Sequence, residues 1–176
     1  MNTPHSPDTC ALPRIGLGGG CHWCTEAVFQ QLRGVERVDQ GYIASQPPNT
    51  DYSEAVIVHF NPKEISLETL IEVHLYTHSA TATHSLRKNY RSAIYFFSEQ
   101  QQESAQKALH VLQDDFADPL IIQVLPYRAF RCSDPRHVNY YSTDPERPYC
   151  QRYIEPKLQL LQNKFKDGLK NRKESG

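Results

Sequence analysis

Cys21 and Cys24 stand three residues apart, directly after Gly18-Gly19-Gly20, with His22 and Trp23 between them. A thiolate is the nucleophile of cysteine chemistry, so the first question is what would ionise a thiol here. Glycines after a strand permit a tight turn and close backbone approach. Cys21 then falls where a helix begins, facing unpaired amide N–H groups and the positive end of the helix dipole. That setting lowers a thiol below its free value of about 8.5. A small residue packed under a glycine turn would occupy the same position. Phosphate binding does not fit, because Gly-x-x-x-x-Gly-Lys and Gly-x-Gly-x-x-Gly are both absent. The Cys-x-x-Cys could be a redox dithiol or half of a zinc site. Zinc takes about four ligands, and no second Cys-x-x-Cys follows. His74 and His78 stand four apart, but His74 lies on the apolar face of its expected helix and reads as core. No metal is expected.

The chain must supply a strand, a turn and a helix to hold Cys21 in this way, and its pattern does. Ile15–Gly18 reads as a short strand, and Cys21 to about Arg33 as a helix stopped by Gly34. Glu36–Ala44 is a weaker strand, followed by the turn-rich 45–50. Ala55–Phe60 is a strong strand ended by Asn61-Pro62. Ser66 caps a helix to about His78, with Leu67, Leu70, Ile71, His74 and Leu75 on one face. Ser92–Phe97 is a further strand, and Ser98 with Gln101 gives a capping-box pattern for a helix to about Phe116. Ile121–Leu125 is the last clear strand. Pro126 to Pro156 holds five prolines and little periodicity. Pro156 then opens a closing helix to Leu169. The expectation is one α+β domain with four or five strands and helices packed on a mixed sheet. Residues 13–169 form it, between a flexible lead-in (1–12) and a frayed charged tail (170–176).

Composition narrows the function. The 176 residues carry 19 Lys+Arg against 20 Asp+Glu, a net charge of −1, so no basic field points to nucleic acid or an anionic membrane. An apolar run of about 18 residues, the length of a membrane span, is absent. The first dozen residues lack the basic start and apolar core of a secretory signal, so the cytoplasm is expected. Five cysteines, Cys10, Cys21, Cys24, Cys132 and Cys150, are an odd number in such a chain. Reactive or incidental thiols are expected there rather than a static disulfide framework.

The Gly-Gly-Cys-His-Trp run resembles the Gly-Gly-Cys-Phe-Trp signature of the A-type peptide-methionine sulfoxide reductases, and the resemblance continues along the chain. Gly34-Val35, Gly41-Tyr42, Glu54-Ala55-Val56 with Phe60-Asn61-Pro62, His78 and Asn89-Tyr90-Arg91-Ser92-Ala93-Ile94 follow in the family's order. So do His137-Val138-Asn139-Tyr140-Tyr141, Pro148-Tyr149-Cys150 and Pro156-Lys157-Leu158. The ordered series covers about Ile15 to Phe165.

The resemblance implies a two-layer α/β sandwich with a ferredoxin-like core. It also implies a reductase of the S epimer of methionine sulfoxide, free or in oxidised proteins and peptides. Cys21 would be its nucleophile. Glu54 would be its acid, kept protonated by burial, although an isolated strand glutamate is ordinarily solvated. Tyr90 would bind the sulfoxide oxygen, and Trp23 would wall an apolar pocket for the S-methyl group; alone, each would read as packing. Attack leaves Cys21 as a sulfenic acid, which a second thiol converts to a disulfide. Cys150, in the proline-rich stretch, matches the family's recycling position, with Cys24 as its rival and Cys10 and Cys132 as bystanders. The resemblance implies no bound cofactor, with thioredoxin or another dithiol as external reductant, and a monomer is expected.

The chain departs from the family at three places. His22 replaces a phenylalanine of the substrate pocket and brings a titratable ring there. The stretch between Gly41-Tyr42 and Glu54 is short and lacks the usual Gly-His, leaving Tyr52 to serve as second substrate tyrosine. The family's Asp and Gly before the Tyr-Arg-Ser run are Ser85 and Arg87. The reaction class is expected to survive with altered rate or substrate range. Two alternatives remain: a general dithiol oxidoreductase using Cys21 and Cys24, or a weakly active member that binds Met peptides or senses oxidants.

Overall fold

The computed structural model describes residues 12–78 and 90–170. Cys10 and the rest of the lead-in before Leu12, Ser85, Arg87 and Asn89, and the tail after Lys170 lie outside the described residues.

The elements run β1 (Arg14–Gly18), α1 (His22–Gln30), β2 (Val35–Ala44), β3 (Ser53–Phe60), α2 (Leu67–Thr77), β4 (Ala93–Phe96) and α3 (Glu99–Leu112). They continue as β5 (Gln123–Pro126), β6 (Ala129–Cys132), the short α4 (Tyr140–Thr143), a π-helical turn (Cys150–Ile154) and α5 (Glu155–Lys164). One six-stranded sheet has the order β5-β4-β1-β3-β2-β6. The first four strands pair antiparallel as β4-β1-β3-β2, with α1 and α2 as crossovers, which is the ferredoxin-like split β-α-β unit. Each crossover returns the chain beside the strand that separates its ends. β5 extends one edge parallel to β4, and β6 extends the other antiparallel to β2.

Strand alternation divides the sheet's faces. Ile15, Leu17, Val56, Val58, Phe60 and Ile94 point toward the helices and join Val28, Phe29, Leu70, Ile71 and Leu75 in the main core. Fully buried side chains such as Leu70 would cost about 2–5 kcal/mol if cut to alanine. Ile43, Ala55, Ile57, Ala93 and Tyr95 form a smaller cluster on the opposite face. Glu54 shares the helix-side face with Val56, so the period of two aims its carboxyl at the start of α1.

Local signals account for most boundaries. Ser66 Oγ accepts the Thr69 N–H at 3.1 Å, and Ser98 Oγ accepts that of Gln101 at 3.2 Å. Gln101 answers one residue earlier than a standard capping box, its Oε1 accepting the Phe97 N–H at 2.8 Å. The main correction falls after Pro126. The stretch read as irregular contains β6, the short α4 and the π-helical turn, so the sheet has six strands, not four or five. β6 is four residues long and half exposed, and its pairing with Ala44 to Gly41 of β2 is a long-range contact that leaves no periodicity to read.

Candidate active site

The site forms where β1 hands over to α1. Gly19 has φ +141°, and a Cβ there would fall 2.6 Å from the His78 ring, so the turn needs glycine on both counts. α2 braces the turn from behind. His74 Nε2–H donates to the Gly18 carbonyl at 2.7 Å, and the His78 ring stacks on His74 at 4.0 Å and reaches Ser92 Oγ at 2.9 Å. These two histidines hold the turn, in line with a core role for His74. Among the described residues, no group of three or more His, Cys, Asp and Glu side chains could hold a metal ion.

Cys21 is the N-cap of α1, in extended conformation at φ −61°, ψ 126°. Its thiol is brought down from 9.0 to about 7, first by the Cys24 thiol, then by the Tyr149 hydroxyl and the Trp23 backbone N–H, all donating to the sulfur. Burial and the Glu54 charge oppose this. The reverse of the same contacts pushes the Cys24 thiol up, and burial with the Cys21 charge pushes the Tyr149 hydroxyl up. Both therefore remain donors when Cys21 is a thiolate, and Cys24 Sγ and Tyr149 Oη are 4.0 Å apart.

Glu54 faces Cys21 from β3. Its Oε1 accepts the His22 backbone N–H at 3.3 Å and lies 3.2 Å from His22 Nε2. Tyr90 hydrogen-bonds the same carboxyl, whose charge pushes the Tyr90 hydroxyl up. Buried Arg91 sets this pairing: its N–H donates to Ser53 Oγ at 2.7 Å, and its guanidinium reaches the Ile43 and Asp51 carbonyls, each at 3.1 Å, and the Tyr95 hydroxyl at 3.0 Å. Tyr90 and Glu54, each one residue away from this link, are thereby brought together.

Two placements differ from the sequence reading. The His22 ring is 4% exposed, tied to the Gly41 carbonyl at 2.8 Å and edge-on to Tyr42. Tyr52 is 38% exposed, with its ring under the Arg131 guanidinium at 4.4 Å. The strand partner of Glu54 is instead Tyr42, which the sequence showed in a motif without assigning it a role.

The C-terminal segment closes the other side. Tyr140 stacks on Trp23 at 4.1 Å, and His137 and Tyr149 meet the indole edge-on. Buried Glu26 of α1 holds this segment, accepting the Asn139 N–H at 3.0 Å, the Tyr140 N–H at 3.3 Å and the Gln40 amide at 2.9 Å. Cys150 begins the π-helical turn rather than lying in an irregular loop. It is fully buried with Cys24, Ala27 and Ile154 in a cluster against which Cys21 and Trp23 pack, and burial pushes its thiol up. Cys132 is exposed on β6. Sequence reasoning gave no role to Glu26, Tyr42, Tyr140 or Tyr149. The tyrosine-rich run from His137 to Tyr153 was the signal available.

A family model described as peptide methionine sulfoxide reductase matches residues 13–169. The chain belongs to the peptide methionine sulfoxide reductase family. The peptide methionine sulfoxide reductase MsrA of Acinetobacter baumannii (strain AYE) is 34% identical over 169 residues, covering 88% of this chain and 97% of its own. Among solved structures, reduced Mxr1 from Saccharomyces cerevisiae superposes with a TM-score of 0.72 at 22% identity, over 81% of this chain and 91% of that one. Mxr1 in complex with Trx2 has a TM-score of 0.61 at 20% identity, over 74% and 86%. The protein is an oxidoreductase of this family, and its α+β fold is the family's. None of its described helices is long and apolar enough to cross a membrane.

Proposed function

We propose that the protein reduces the S epimer of methionine sulfoxide, free or in oxidised proteins and peptides, through Cys21, Glu54 and Cys150. The observation that carries this reading is the Cys21 sulfur at a helix N-terminus, receiving three donors, with the Glu54–Tyr90 pair beside it. The Cys21 thiolate attacks the sulfoxide sulfur and Glu54 donates a proton to its oxygen. The sulfur–oxygen bond breaks, the oxygen ends on Cys21 as a sulfenic acid, and the methionine sulfur is reduced by two electrons. Tyr90 holds the oxygen, and Trp23 offers its apolar face to the methyl group. Cys150 then forms a disulfide with Cys21 and water leaves. Thioredoxin or another dithiol returns the two electrons; the yeast neighbour's complex with Trx2 supports such a partner. The proposed setting is the cytoplasm, with the protein acting as a monomer.

The purified protein is incubated with dithiothreitol and each sulfoxide epimer. Turnover of the S form, lost in Cys21→Ser, is expected; no S-form turnover, or full turnover by the variant, rejects the reading.

One observation favours a second route for the disulfide. Cys24, not Cys150, is the thiol in hydrogen-bonding contact with the Cys21 sulfur. Peptide mapping of the protein after one equivalent of sulfoxide identifies the partner directly. Loss of cycling in Cys150→Ser supports Cys150, and loss in Cys24→Ser alone supports the Cys21–Cys24 pair.

A further inference from the structure

Glu54, Tyr42 and Arg131 lie side by side across three strands. Tyr42 of β2 pairs with Glu54 of β3 on one flank and with Arg131 of β6 on the other. Paired residues put their side chains on one face of a sheet, so all three share the face of Glu54. Neighbouring strands are about 4.8 Å apart, which sets the Arg131 backbone about 10 Å from that of Glu54. Exposure rises along this row. The Glu54 side chain is 18% exposed, Tyr42 is half-buried and Arg131 is exposed. Tyr140 and Tyr149 pack on Trp23 and close the other side of the site. The row thus runs from the site to solvent and ends on a cation.

That cation is braced but not neutralised. The Arg131 guanidinium lies over the Tyr52 ring at 4.4 Å, a contact that orients it without using its N–H donors. Among the described residues it forms no ion pair. Asp134, the acid nearest to it in sequence, is held by Arg136 at 3.0 Å. A planar guanidinium in this state matches a carboxylate, which it can grip with two N–H groups. The substrate can bring one. A sulfoxide sulfur carries an oxygen, a methyl group and a methylene chain. With the oxygen at Glu54 and Tyr90 and the methyl on Trp23, the chain is left the open side, past Tyr42. A carboxylate on its α-carbon then lies about 5 Å beyond the sulfur, toward Arg131.

We propose that Arg131 is a specificity-determining residue that binds a carboxylate carried by the substrate next to its sulfoxide. The α-carboxylate of free or C-terminal methionine sulfoxide is one source. An aspartate or glutamate beside the oxidised residue in a peptide presents the same group. An internal methionine sulfoxide with neutral neighbours lacks it and binds more weakly, so the protein ranks its substrates by charge. The carboxylate is remote from the reacting sulfur and is held alike before and during reaction. The contact therefore acts on KM rather than on kcat. Lying at the exposed end of the row, it is weakened by salt. The proposal rests on the reading of the site as one that reduces methionine sulfoxide.

Binding is measured first, because it needs no turnover. Trp23 is the only tryptophan of the chain, so its fluorescence reports occupancy of the site. Cys21→Ser protein is titrated with three S-sulfoxides. N-acetylmethionine sulfoxide carries the α-carboxylate, its N-methylamide carries none, and the N-acetyl dipeptide amide with a following aspartate carries only the side-chain carboxylate. The acid should bind about three- to ten-fold more tightly than the N-methylamide at low salt, and the gap should close near 1 M salt. With Arg131→Gln added, the preference should fall to about one. Arg131→Lys should keep part of it, and Arg131→Glu should reverse it. The dipeptide separates the two sources: binding tighter than the N-methylamide extends the contact to flanking acids, and equal binding confines it to the α-carboxylate. With Cys21 intact, the same ranking should appear in KM, with kcat within about two-fold across the three. No difference between acid and N-methylamide, or a preference that survives Arg131→Gln, overturns the proposal. If none of the three is reduced by wild type, the functional reading fails separately, because the binding ranking is decided without turnover.

Discussion

Ser53 Oγ accepts the backbone N–H of Arg91 at 2.7 Å, and this bond joins the start of β3, which carries Glu54, to the segment before β4 that carries Tyr90. Glu54 follows Ser53 and Tyr90 precedes Arg91, so the link fixes the spacing of two groups far apart in sequence. Ser53 is fully buried, leaving no water to replace the hydroxyl. Ser53→Ala should lose about 1–3 kcal/mol in urea unfolding by orphaning the Arg91 N–H. It should also lower kcat about ten- to hundred-fold by loosening the Glu54–Tyr90 geometry, while Cys21 alkylation stays near wild type.

The Cys21 thiol, brought down to about 7, should react with iodoacetamide at a rate that rises through neutral pH. Tyr149 donates to that sulfur, so Tyr149→Phe removes a bond made to the charged form. The rate curve should then move up by about 0.5–1 pH unit, and the acid limb of turnover should follow it. A stopped-flow alkylation series read by mass at Cys21 checks both. Exposed Cys132 should alkylate rapidly, and Cys132→Ser should keep full turnover.

Much of this arrangement is legible in the amino-acid sequence. The glycine run before Cys21 marked a strand-to-helix turn, because φ freedom and thiol activation are local properties of sequence. The β-branched and aromatic run 55–60, stopped by Asn61-Pro62, marked a strand, but only the fold shows that Glu54 shares its helix-side face with Val56. The residues that complete the site were hidden for one shared reason. Tyr140, Tyr149 and Glu26 meet through contacts between α1 and the chain after Pro126, over a hundred positions away for Glu26 and Tyr140. β6 was missed likewise, since four half-exposed residues form a strand only once β2 offers its edge. His22 showed as a departure from the family, but its burial against the Gly41 carbonyl and the Tyr42 ring is visible only once β2 lies beside α1.

Tyr42 and Tyr52 offer a direct comparison. Tyr42 is the strand partner of Glu54, so their side chains share one face of the sheet, whereas Tyr52 lies exposed under Arg131. Tyr42→Phe should lower kcat/KM about ten- to hundred-fold, as expected for a lost donor near developing charge. Tyr52→Phe should stay within about two- to three-fold of wild type, because the stacked face of the ring is unchanged. Steady-state rates on free and peptide-bound sulfoxide decide it, and the opposite ranking would return the role to Tyr52.

Glu26 is the anchor between α1 and the segment that carries Tyr140, and its carboxyl is 1% exposed with three donors converging on it. Burial pushes its pKa up, against the opposing pull of the Asn139, Gln40 and Tyr140 donors. A carboxyl raised in the folded state binds its proton more tightly than in the unfolded chain. The fold is therefore favoured in acid and loses stability as pH climbs from the unfolded value through the folded one. Glu26→Gln cannot ionise and should lack this slope. It also presents one acceptor oxygen and an NH₂ group to donors that face two oxygens in wild type, at a cost of about 1–3 kcal/mol. The variant should thus be less stable at neutral pH, and its deficit should widen as pH falls toward about 5, where wild type gains and the variant does not. Urea unfolding between about pH 5 and about pH 8 reads the slope. Released from its anchor, Tyr140 should also leave Trp23 less firmly stacked, raising KM for the sulfoxide more than it lowers kcat.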